Sequence, residues 1–227
     1  MTIAIVGAMA IEIEFLIQEI GYQKKIEKNG YCFWLSEYAN KQIIMTSSGV
    51  GKVAAAILAT TLVNLFPNIN LIINVGVAGG IQSKTKIGEV VAFTKYAYYD
   101  ADATYFEGYV YGQIPGCPAY FHADQGFLTA CQGFINTSGM VLTGDMFFTN
   151  QNAIDEVVKE HFPMENVISL DMESTAFAQS YYHLDFAFAS LRVISDIIGG
   201  TISEYEQNLE SCSHLACKTL LAILKKM

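Results

Sequence analysis

Seven short runs of mostly β-branched and other apolar residues, at 2–6, 42–46, 71–75, 89–93, 140–143, 167–170 and 186–194, sharply limit how this chain can fold. They lack strict apolar–polar alternation, which is the pattern of strands buried on both faces of a sheet. Segments with helical spacing lie among them at 11–19, 52–65, 151–160, 173–182 and 203–226. That alternation predicts an α/β fold in which helices cover a mostly parallel sheet. With 227 residues, 52% hydrophobic and 15% charged, the chain is expected to be ordered and to form one domain spanning 1–227. The segment 98–121 differs: aromatics crowd among Gly108, Gly112, Pro115, Gly116 and Pro118, and it reads as a long ordered loop with a functional or interfacial role.

Charge and composition narrow the partners. A net charge of -9 repels polyphosphate backbones and anionic lipid, so a small molecule is the expected partner, with neither nucleic acid nor membrane. The longest uncharged stretch, 53–83, is broken by Asn64, Pro67, Asn68, Asn70 and Asn74, short of the roughly 20 apolar residues of a membrane span. Met1 leads directly into Ile3 to Val6 with no cationic lead, and Glu12 and Glu14 follow, so a cytoplasmic protein is expected. Five cysteines without a C-x-x-C pair or a histidine at ligand spacing predict free thiols, no metal and no cofactor. Without a secretion signal, the sequon Asn136-Thr137-Ser138 is not expected to be used.

In open α/β sheets ligands sit beyond the carboxyl ends of the strands, which draws attention to five places. After the first run, Gly7-Ala8-Met9 precedes Glu12, a carboxylate in the first turn of a helix; there it serves either chemistry or the helix dipole. Ser48-Gly49-Val50-Gly51-Lys52 lies between a strand and a helix. It is no dinucleotide fingerprint, because the next strand ends Asn74-Val75-Gly76 without an acid, and Thr46 and Val53 break a Walker A pattern. Asn74-Val75-Gly76-Val77-Ala78-Gly79-Gly80 is by itself a turn. Asp171 and Glu173 follow a buried run at a helix start, where capping competes with catalysis. Arg192, the sole arginine, lies inside an apolar run that closes with Ser195-Asp196, and a charge there requires a partner. Glycosidic cleavage through an oxocarbenium-like transition state needs one carboxyl group to activate water and another to protonate the leaving group, and this inventory suits it.

Read together, Gly7-Ala8-Met9 with Glu12, Ser48 to Lys52, Asp100-Ala101-Asp102, Tyr111 to Pro118, Thr143-Gly144-Asp145, Asp171-Met172-Glu173 and Arg192 to Asp196 resemble the bacterial methylthioadenosine/S-adenosylhomocysteine nucleosidases in order and spacing. The resemblance covers essentially the whole chain. It implies a three-layer αβα nucleoside phosphorylase/hydrolase fold with a twisted mixed, mostly parallel sheet, working as a homodimer. It further implies Glu12 as the base that activates water, and Asp196, steadied by Ser195, as the acid that protonates adenine at N7. Glu173 would hold the ribose hydroxyls, with Arg192 near the water and the carboxylates. Phe147 would read and stack on the base. Met9, Val50, Met172 and Tyr205 would line the ribose and 5'-thio pocket, Tyr205 by a gapped match. Ala8, Val77, Ala78, Gly79, Ala103 and Phe148 belong to the same binding set, and Phe106 and Pro115 would complete the 5' pocket across the subunit interface.

The chain departs from the family's pattern in places. Val77 stands where the family usually has a hydroxyl, and Ala10 and Ile11 replace acids beside the glutamate. A nucleoside phosphorylase on the same fold is a rival reading, opposed by a single arginine and a carboxylate at Glu12 where a phosphate dianion would sit. A binding protein without turnover is a second rival, opposed by the presence of both proton-transfer candidates. Methylthioadenosine, S-adenosylhomocysteine, 5'-deoxyadenosine and aminodeoxyfutalosine remain unranked as substrates.

Overall fold

The computed structural model describes all residues, 1–227. Strand β1 (Thr2–Gly7) leads into helix α1 (Ile11–Ile20), and a meander of β2 (Lys24–Lys28), β3 (Tyr31–Tyr38) and β4 (Lys41–Ser47) follows. Helix α2 (Lys52–Leu65), β5 (Leu71–Gly80), β6 (Val90–Tyr98), β7 (Phe121–His122) and α3 (Gln125–Cys131) come next. The chain ends with β8 (Thr137–Thr143), α4 (Gln151–His161), β9 (Val167–Asp171), α5 (Ser174–Leu184), β10 (Phe188–Ile197) and α6 (Ile202–Lys226).

The expected strands and helices are all present, most of them longer than their apolar runs. Of the meander only β4 was expected; β2 and β3, like the short β7 and α3, are absent from the sequence reading. Tight turns build the meander: Asn29-Gly30, with φ of 53° and 81°, joins β2 to β3, and Ala39-Asn40, with φ of 50° and 60°, joins β3 to β4. Two-residue loops with both φ positive match the twist of antiparallel strands.

The sheet runs β2–β3–β4–β1–β5–β9–β8–β6–β10, and β10 pairs back with β5. Five strands, β5, β9, β8, β6 and β10, therefore close into a ring, with β1 and the meander extending from β5. The sheet is mixed, with its longer pairings parallel. Five pairings are parallel, β1–β4, β1–β5, β5–β10, β6–β8 and β8–β9, and five are antiparallel. The meander contributes two of the antiparallel pairs, β7 one, and β5–β9 and β6–β10 in the ring the others.

β5 and β10 are buried along nearly their whole length, which explains runs without alternation. α6 presents Cys212, Ala216, Cys217, Leu220 and Leu224 inward at helical spacing and packs on β5, β10 and α1, while α2 packs against α5. Thr201 caps α6 by accepting the Glu204 N–H at 3.2 Å. No helix is long and apolar enough to cross a membrane. Residues 99–120 contain neither helix nor strand. Internal bonds order them: the Tyr111 hydroxyl donates to the Tyr99 carbonyl at 2.6 Å, and the Gln113 amide donates to the Cys117 carbonyl at 2.8 Å.

Candidate active site

A concave, mostly apolar cavity, open to solvent on one side, lies at the carboxyl ends of β1, β5, β9 and β10, the usual place for a ligand in an α/β sheet.

Glu12 enters from the first turn of α1. Its Oε2 accepts the N–H groups of Ala8 at 2.7 Å and Met9 at 2.8 Å, and its Oε1 accepts the Val77 N–H from β5 at 3.0 Å. Three backbone donors fix both oxygens, so this carboxylate does more than complement a helix dipole. The approach to β5 requires Gly76, because a Cβ there would overlap the Glu12 carboxylate.

Asp196 enters from the far end of β10, where pairing with β5 slips by one residue between Ile194 and Asp196. The slip is a bulge, which re-aims side chains. Asp196 Oδ1 accepts the Ser195 hydroxyl at 2.7 Å, and its Oδ2 lies where a Cβ on Gly79 would be 3.5 Å away. Burial raises the Asp196 pKa above the ordinary carboxylate value; the Ser195 hydrogen bond opposes the shift and Glu204 adds to it.

Glu173, at the start of α5, accepts the Gly51 N–H at 2.8 Å. Burial pushes its pKa up to about 7, reinforced by Asp171 and opposed by Arg192 and the Gly51 bond. Arg192 is fully buried beneath the cavity and does not line it. Its Nη2 donates to Asn74 Oδ1, to Asp171 Oδ2 at 3.2 Å and to Ser174 Oγ at 3.4 Å, and lies 3.9 Å from Glu173 Oε2. Burial works against its charge, but Asp171, Glu12 and Glu173 outweigh that and hold its pKa above the usual value. Arg192 Nε and Nη1 have no hydrogen-bond partner.

Ala8, Met9, Val50, Val77, Ala78 and Gly79 line the cavity, as do Phe147, Phe148, Met172, Glu173, Ser195, Asp196 and Tyr205. Tyr205 belongs to the wall despite the gap in its match: its ring meets Phe147 edge-on at 5.4 Å, and its hydroxyl lies 3.7 Å from Met9 Sδ. Ala103, Phe106 and Pro115 lie in the long loop and do not line this chain's own cavity. Phe106 is 60% exposed.

The sequence reading missed Met146, Leu170, Asp171 and Ile198 as lining residues. Leu170 adjoins Asp171, and Ile198 lies two residues beyond Asp196, so position along the strand ends could have found both. Asp171 was read with Glu173 as a capping or catalytic acid. It is the nearer ion-pair partner of Arg192, and it accepts the Thr143 hydroxyl at 2.6 Å and the Ser174 N–H at 3.2 Å.

The arrangement offers two separately held carboxyl groups, one fixed by backbone donors and one with a raised pKa, on one apolar-walled cavity. The family model of the phosphorylase superfamily matches residues 2–225. A 5'-methylthioadenosine/S-adenosylhomocysteine nucleosidase of Oceanobacillus iheyensis is 36% identical over the full length of both chains. One from Listeria welshimeri is 35% identical over 96% of this chain and 94% of its own. The structure of the nucleosidase from S. pneumoniae with the transition-state inhibitor MT-ImmA superposes with a TM-score of 0.91 at 30% identity, covering 100% of this chain and 99% of the other. That from Neisseria meningitidis in complex with methylthio-immucillin-A gives 0.91 at 31% identity with the same coverage. The family match over residues 2–225, the full-length relatives and the matching fold agree: this chain belongs to the 5'-methylthioadenosine/S-adenosylhomocysteine nucleosidase family of the phosphorylase superfamily.

Proposed function

We propose that the chain hydrolyses the N-glycosidic bond of 5'-methylthioadenosine and S-adenosylhomocysteine, releasing adenine and the 5-thioribose product, with Glu12 as base and Asp196 as acid. The observation that carries the reading is that these two carboxyl groups, 184 positions apart in sequence, line one cavity in different environments. A base must accept a proton from water, and the Glu12 carboxylate is already held as an acceptor by three N–H groups. An acid must arrive with a proton, and the raised pKa of Asp196 favours that.

In this reading a water between Glu12 and C1' loses its proton to Glu12 as it attacks. Asp196 Oδ2 gives a proton to N7, and adenine departs neutral. The negative carboxylates stabilise the cationic sugar as it develops. Glu173 holds the ribose hydroxyls, Arg192 balances the charge below, and Ser195 orients Asp196. Phe147 and Phe148 face the base. Met9, Val50, Met172 and Tyr205 give the thioether an apolar wall, while Ala8, Val77, Ala78 and Gly79 line the floor.

Water is favoured over phosphate because the one arginine is already paired with Asp171 and three acids crowd the region, which would repel a dianion. The proposal includes a three-layer αβα arrangement, supported by α1 packing with α6 and α2 with α5, and a single cytoplasmic domain acting as a homodimer. A neighbouring subunit would then supply Phe106 and Pro115 to the 5' pocket, and the exposure of Phe106 supports that placement.

Incubation of the protein with methylthioadenosine, S-adenosylhomocysteine and aminodeoxyfutalosine, with and without phosphate, tests the reading. Free adenine from the first two in phosphate-free buffer is expected. Adenine release only on addition of phosphate would overturn it in favour of phosphorolysis.

A further inference from the structure

We infer that Asn208, on the second turn of α6, is a positioning residue that holds the Ser195–Asp196 bulge in the geometry from which Asp196 protonates the leaving group. The inference rests on the reading of Asp196 as the acid.

The bulge creates a specific need. β10 follows β5 in register from Phe188↔Ile72 to Ile194↔Ala78, and then Asp196 pairs with Gly79. Ser195 is thus left between rungs of the ladder, and it is fully buried. A buried carbonyl outside the ladder requires a donor. Asn208 Nδ2 supplies it, donating to the Ser195 carbonyl at 3.1 Å; the same amide nitrogen also donates to the Glu204 carbonyl one turn back at 2.9 Å. Asparagine is a poor helix former, and local propensity does not explain its presence inside α6.

With the carbonyl fixed, the Ser195 hydroxyl reaches Asp196 Oδ1 at 2.7 Å, and Oδ2 is left without a protein hydrogen bond. That oxygen is the one available to the purine. Asn208 also lies one turn from Tyr205, whose ring closes the cavity against Phe147. One helical face thereby sets both the aromatic wall and the acid.

The test uses two substrates that differ in their need for a proton. Methylthioadenosine requires protonation of its base, whereas the 4-nitrophenyl 5-methylthioriboside releases a phenolate that departs unaided. Asn208→Ala favours the helix and removes the donor, and Asn208→Leu removes it while keeping the branching at Cγ. In both, kcat on methylthioadenosine is expected to fall about 10-fold or more, with KM and kcat on the nitrophenyl substrate within about 2-fold of wild type. Asn208→Gln, which keeps the amide, recovers part of the loss.

Equal slowing of both substrates, or of neither, by Asn208→Ala and Asn208→Leu would overturn the inference. Asp196→Asn is the control that separates the two readings. It must discriminate between the leaving groups even more strongly. If it slows both equally, the acid reading falls, and this inference with it.

Discussion

Gly76 and Glu12 occupy adjoining space so closely that a single Cβ on the glycine would overlap the glutamate carboxylate and lie 2.7 Å from Arg192 Nη1. Gly76→Ala is therefore expected to push Glu12 away from the Val77 N–H and lower kcat by about 10²-fold or more, the scale of a lost general base. Overpacking there costs about 1–3 kcal/mol of stability, so the variant should remain folded at ambient temperature. Steady-state rates alongside a thermal melt check this. Near-normal kcat in a folded variant would show that Glu12 does not act from this position.

The raised pKa of Asp196 sets the sign of the pH dependence. As pH rises through that value the acid loses its proton, and kcat should decline. Glu204 is one of the groups that raise it. Glu204→Gln should move the alkaline limb of the kcat profile to lower pH, and a limb that stays in place or moves upward contradicts the assignment.

Glu173 links stability to pH. Its folded pKa of about 7 lies above the ordinary 4.5, so its contribution is fully present below about 4.5 and is lost as pH rises through about 7. The loss is on the order of 1–3 kcal/mol. Thermal melts of the ligand-free protein from pH 4.5 to 8 should show a decline that Glu173→Gln reduces. Parallel curves for the two proteins would refute this.

Asp171 holds a guanidinium with no access to solvent. Asp171→Ala leaves that charge without its closest ion-pair partner and should cost roughly 3–5 kcal/mol, whereas Asp171→Asn, which retains an acceptor, should cost less. Urea denaturation midpoints measure both.

The buried strands were legible because burial on both faces leaves an apolar run in the sequence, as in β5 and β10. The two hairpins were not read, although Asn29-Gly30 carries a strong local turn signal; on one side of it Lys24–Lys28 is charged and lacks an apolar run, while on the other the apolar run Tyr31–Leu35 was legible and passed over. Ring closure was illegible for another reason. It depends on β5 pairing with both β9 and β10, contacts between segments about 100 residues apart that no local pattern encodes. The same holds in the cavity. Glu12, Glu173 and Asp196 stood out at strand ends, but nothing local ties Asp171 to Arg192 or Asn208 to Ser195, because those pairs meet only once the strands and α6 are in place.

The most direct test of the account is single-turnover release of adenine from methylthioadenosine in phosphate-free buffer by Glu12→Gln and Asp196→Asn. Each should fall by about 10²-fold or more while the nucleoside still binds, since each removes one proton transfer and leaves the cavity intact. Release by both variants at close to the wild-type rate would contradict the division of labour between these two carboxyl groups.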